Sequence, residues 1–167
     1  MMRRIEMHCY IYELSKEPIP EEERYSNSDL PDWFHGSISD GTYDIDAKER
    51  VSAIESLLGR LARNCTYEDE KLQFTDNVKD CYFRGSFAEF KEAAALLSAA
   101  SYEVFSGQEK STEFAKAMVT IRFAYEDKFD HYIYLKDNDE PISLDAWVRD
   151  LDPKDSFYIG GIIDYHW

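Results

Sequence analysis

From residue 4 to 14, apolar and polar side chains alternate. Ile5, Met7, Cys9 and Ile11 face one way, and Glu6, His8, Tyr10 and Tyr12 the other. Period two predicts a strand with one face on the core. Pro18 and Pro20 end it, and Glu21-Glu22-Glu23 opens a polar stretch without periodicity. That stretch predicts a long acidic surface loop over 15–33, closed by Trp33 and Phe34. Asp40-Gly41, with Ile38 before it and Tyr43 and Ile45 after it, carries the signature of a two-residue hairpin turn.

Helical spacing follows. Asp46 and Glu49 form a capping-box pattern ahead of Val51, Ile54, Leu57, Leu58 and Leu61, predicting a helix from about Ala47 to Asn64. Leu72 and Phe74, then Cys81 to Phe83, predict two short strands around Asp76-Asn77. Ser86 and Glu89 start a second helix, with Phe87, Phe90, Ala94, Leu97 and Ala100 as its buried face. Tyr102 to Phe105 predicts a strand ended by Gly107. Ala117, Val119, Ile121, Phe123 and Tyr125 alternate, predicting a strand that returns through Tyr132 to Leu135. Ser143 caps a third helix, stopped by Pro153, and a last strand runs from Phe157 to about Tyr165. Gly160-Gly161 within it signals a bulge or a close backbone approach. Together these elements predict an α+β fold, a single domain over 1–167 with about three helices packed on a largely antiparallel sheet.

Composition narrows the function classes. A hydrophobic fraction of 44% in 167 residues suffices for a core without disulfides or metals. Cys9, Cys65 and Cys81 form no CxxC pair, so they read as free thiols of a reducing compartment. No signal-peptide pattern and no bilayer-length apolar run occurs, and the expected location is the cytoplasm. The net charge is −15. Residues 13–55 carry −8 and residues 126–167 carry −7, while residues 56–125 carry only −1. Such a field repels phosphates and anionic membranes and attracts basic surfaces.

The motifs of standard catalysis are missing. There is no GxGxxG or Walker loop, no GxSxG elbow and no HxxxH, HExxH or HxH pair. Asp137-Asn138-Asp139 begins like a calcium loop, but Ile142 stands where glycine is required and Val148 where glutamate is required. Asp40, Asp44 and Asp46 could meet at a hard cation, yet Asp46 is the better helix cap. The chain is therefore read as non-catalytic, with no cofactor and no metal site.

What remains is an acidic, tyrosine-rich surface. Carboxylates beside aromatic rings suit the capture of Arg and Lys. The candidate partner-binding residues are Glu21, Glu22, Glu23, Trp33, Tyr132, Tyr134, Asp137, Asp139 and Glu140. The expected function is an acidic binding or inhibitor protein that engages a basic partner of the nuclease or toxin class, without contacting nucleic acid or membrane directly. In composition the chain looks like acidic anti-defence inhibitors of phages and mobile elements, and like toxin-immunity proteins. One alternative is a small enzyme or ligand-binding domain whose site draws on His8, His35, Asp44 and His131. Another is a structural or assembly protein.

Overall fold

The computed structural model describes residues 8–167, and its architecture is α+β. Among the described residues a seven-stranded sheet has the order β3 (Cys65–Glu68), β4 (Lys71–Phe74), β7 (Ser156–His166), β1 (His8–Ser15), β5 (Tyr132–Leu135), β6 (Ile142–Ser143), with β2 (Gly41–Asp44) also paired to β7. The central strands are β1 (His8–Ser15) and β7 (Ser156–His166), which run antiparallel. Residues 4–7 of the expected first strand lie outside the described residues. On its other side β1 pairs in parallel with β5 (Tyr132–Leu135), which β6 (Ile142–Ser143) follows. The remaining pairings are antiparallel.

Both faces of β1 are buried, because the sheet is covered on each side. One face carries the larger core. Tyr12, Leu14, Ile133, Ile159 and Ile162 meet Ala53, Ile54, Leu57 and Leu61, which lie on and just beyond α2 (Ala47–Arg60), and Leu144, Trp147 and Val148 of α6 (Leu144–Asp150). Tyr12 is fully buried, and its hydroxyl donates to the Ala53 carbonyl at 2.7 Å. The opposite face is covered by residues 16–40. Leu30 and Phe34 pack there on Cys9, Ile11, Tyr132, Ile163 and Tyr165. The stretch expected as a surface loop is thus a covering layer with acidic turns. Phe34, in the single turn α1 (Phe34–Ser37), is wholly buried, which stabilises by about 1.5–3 kcal/mol.

The bulge expected at Gly160-Gly161 is present. Tyr12 pairs with Ile162 and Leu14 with Ile159, so two β7 residues oppose Glu13 alone. A Cβ on Gly161 would lie 2.0 Å from the Tyr25 carbonyl oxygen, so only glycine admits this approach of the covering segment.

Several expected elements differ. Asp40-Gly41 turns no hairpin: β2 (Gly41–Asp44) adds to β7, and the Asp40 N–H donates to the His166 carbonyl at 2.8 Å. The tight hairpin joins β3 (Cys65–Glu68) to β4 (Lys71–Phe74) through Asp69 and Glu70. Both residues adopt positive φ (51° and 62°), the geometry of such turns without their usual glycine. Cys81 to Phe83 belong to α3 (Val78–Ser98), which starts eight residues before Ser86. Tyr102–Phe105 is a helical turn, α4.

The alternating stretch 117–125 lies in α5 (Thr112–Tyr125), capped by the Ser111 hydroxyl, which accepts from the Phe114 N–H at 3.1 Å. Nearly every residue of that stretch is apolar or small, so the sequence satisfies both periods. The helical stripe Phe114, Ala117, Ile121 and Ala124 packs toward α3, while Val119 and Tyr125 face out.

Candidate functional site

The acidic segments singled out by sequence converge on the covered face of the sheet. Pro18 and Pro20 bracket Ile19, whose burial anchors the chain before the exposed turn Glu21–Glu23. Lys136, directly after β5, reaches Glu23 with its ammonium 3.1 Å from Oε2. This bridge sets Glu21, Glu22 and Glu23 beside the β5–β6 connection, where Asp137, Asp139 and Glu140 are all exposed. Next to the bridge, Tyr25 and Tyr134 stack with centroids 3.8 Å apart and planes 9° from parallel. Burial raises the Tyr134 phenol above its ordinary pKa, and the nearby Glu13, Asp139 and Asp29 raise it further. The patch is a paired aromatic platform ringed by carboxylates.

Beneath it, Glu13 holds the covering segment to the sheet. Only 2% exposed, its Oε2 accepts from the Tyr25 N–H at 2.8 Å and from the Gly161 N–H at 2.7 Å. Arg50 of α2 donates to the Gly160 and Ile159 carbonyls at 2.6 and 2.9 Å, tying the helix to the same bulge. The stacked pair therefore rests on charge-assisted hydrogen bonds.

Seven of the nine candidate residues share this face: Glu21, Glu22, Glu23, Tyr134, Asp137, Asp139 and Glu140. Tyr132 is committed to the core, at 5% exposure, with its ring against Phe34 and its hydroxyl donating to the Lys128 carbonyl at 2.8 Å. Burial, then Glu126 and Asp127, push its phenol up to about 12. Trp33 lies farther along the covering segment, its half-open ring against Phe34 at 5.7 Å. Tyr25 escapes the sequence reading because its segment has no period.

The residues named for a dispersed site stay dispersed. His35 is exposed in α1, and Asp44 accepts the Asn27 N–H at 2.7 Å. His131 is buried between α2 and the sheet, with both ring nitrogens engaged. Nδ1 accepts the Tyr10 N–H at 3.0 Å, so the ring hydrogen sits on Nε2 and is donated to the Ser56 hydroxyl at 2.9 Å. Burial, then the Arg60 guanidinium, hold its pKa down to about 4. Comparison with protein-family models, curated proteins and solved structures finds no match to this chain.

At the far end of β7, His8 Nδ1 lies 2.8 Å from Asp164 Oδ2, and His166 Nε2 lies 3.8 Å from Asp164 Oδ1. Asp164 carries no signal in the sequence, since the trio is assembled by strand register across the whole chain. A cleft of about 480 Å³ opens between α2, α3, α5 and α6, lined by Arg60, Tyr82, Glu89, Asp127 and Asp145 among others. Several of its polar groups are already paired. The Tyr82 hydroxyl donates to Asp145 Oδ1 and the Asp127 N–H to Asp145 Oδ2, both at 2.8 Å, while Arg60 pairs with Asp130.

Proposed function

We propose that the chain is a non-catalytic binding protein that captures a basic protein partner on the face formed by Glu21–Glu23, the Tyr25–Tyr134 stack and Asp137–Glu140. The observation that carries this reading is the Lys136–Glu23 bridge, which gathers two acidic segments more than a hundred residues apart around one aromatic pair. Acidity spread for solubility alone needs no such convergence. Carboxylates grouped about rigid aromatic rings match the chemistry of Arg and Lys recognition, through charged hydrogen bonds and cation–π contact. A nuclease or toxin with a basic groove is the class of partner this face fits, in the manner of anti-defence inhibitors and immunity proteins. The same field disfavours nucleic acid and anionic membrane as direct ligands. Among the described residues, no helix is long and apolar enough to cross a membrane.

The test is capture of candidate nucleases and toxins by the immobilised chain at low and high salt. A specific complex should weaken with salt. It should also weaken on reversal of either block, Glu21, Glu22 and Glu23 to Lys or Asp137, Asp139 and Glu140 to Lys. A complex indifferent to both reversals would mean that this face is not the interface.

A further inference from the structure

The trio at the end of the central strands has a chemistry that partner binding does not use. We propose that His8, Asp164 and His166 form a binding site for a divalent transition-metal ion of the zinc type. Register builds it. His8 and His166 are directly opposed across the β1–β7 ladder, and Asp164, two residues before His166, projects on the same face. One ligand atom from each lies within 4.8 Å of the other two. Zinc bonds to imidazole nitrogen and carboxylate oxygen are about 2.0–2.2 Å, so tetrahedral ligand atoms sit about 3.3 Å apart. The separations of 2.8 Å (His8 Nδ1 to Asp164 Oδ2) and 3.8 Å (His166 Nε2 to Asp164 Oδ1) run to the two oxygens of one carboxylate and lie on either side of that value. Side-chain rotation would draw the three ligand atoms, already within 4.8 Å of one another, onto an ion.

Asp164 supplies the independent observation. It is 8% exposed, and its Oδ1 is buried with no hydrogen-bond partner. A buried acceptor left unpaired is destabilising, and this one faces His166 Nε2. A cation shared by the two would satisfy it. The donor set, two imidazoles and one carboxylate, suits zinc and its neighbours rather than calcium or magnesium, which prefer oxygen cages. The His8 side chain is half exposed, which leaves ions an approach and the remaining coordination positions to water. The other cluster of metal-ligating groups among the described residues, Cys9, Asp130 and His131, lacks this freedom. Its imidazole holds the Tyr10 N–H and Ser56, its carboxylate holds Arg60, and its thiol contacts the Phe129 carbonyl at 3.5 Å.

The competing arrangement is a metal-free clamp in which the imidazoles alone hold Asp164. Titration of the metal-free chain with Zn²⁺ against a chromophoric chelator, and with Co²⁺ followed by its visible absorption, separates the two. The site predicts one ion per chain with a dissociation constant near or below about 1 µM. Asp164→Asn and His8→Ala should each weaken Zn²⁺ by about tenfold or more and abolish the tetrahedral Co²⁺ bands, while His35→Ala changes neither. His8→Ala alters a half-exposed side chain, so it keeps the test valid if Asp164→Asn misfolds. Substoichiometric binding, or an affinity unchanged by His8→Ala, would overturn the site and leave the metal-free clamp.

Discussion

At the residue scale, the most consequential side chains are buried polar ones whose partners come from distant parts of the chain. Glu13 was expected only as part of a strand, yet its carboxylate joins the covering segment to the bulge. His131 is the clearest case for measurement. Folding holds it neutral with its pKa down at about 4, below the unfolded value of about 6.5. Between those values the unfolded chain binds more protons, so the stability that His131 contributes is complete above about pH 6.5. It is lost as pH falls toward about 4, by an amount on the order of 3 kcal/mol. Urea unfolding between about pH 7 and about pH 5 should show stability falling with acidity, and His131→Asn should flatten that part of the slope. An unchanged slope would place the titration elsewhere. None of this is legible locally, because a histidine at a strand start looks the same whether its ring meets water or Tyr10 and Ser56.

At the element scale, legibility depended on whether a segment's own residues specify its period. The helix at 47–60 announced itself through Asp46, whose Oδ1 accepts the Lys48 and Glu49 N–H groups at 2.8 Å. The helix at 144–150 did so through Ser143. The stretch 117–125 did not, since nearly all its residues are apolar or small and neighbours had to choose the period. α3 and α5, joined through the single turn α4, form an arm that packs mainly on itself. Within it only Val78, Ala93 and Ala117 are buried, while Phe87, Tyr102, Phe105, Met118 and Tyr125 are exposed. An arm with so little buried surface opens more readily than the sheet. Native-state hydrogen exchange should therefore show amides at the distal end of α3 and throughout α4 and α5 exchanging well before those of β1 and β7. Equal protection would mean that the arm is covered in solution.

At the scale of the whole molecule, charge and fold divide the chain the same way. Residues 78–125, the arm, hold six acidic and six basic side chains, so the entire −15 belongs to the rest of the chain. Acids concentrated on the sheet body repel one another, and salt screens that repulsion over a Debye length of about 10 Å at about 0.1 M. The midpoint of thermal unfolding should rise as sodium chloride is added from low ionic strength. A falling midpoint would mean that the ion pairs outweigh the repulsion. Composition and net charge are sums over the chain, and the capped helices and the Gly160-Gly161 bulge are signalled by residues close together in it, so all of these were legible in the sequence. Which acids share a face, which tyrosines stay open, and that His8 meets Asp164 and His166 were decided only by tertiary structure. Those groupings arise where strands from opposite ends of the chain fall into register, and no short window of sequence contains both partners.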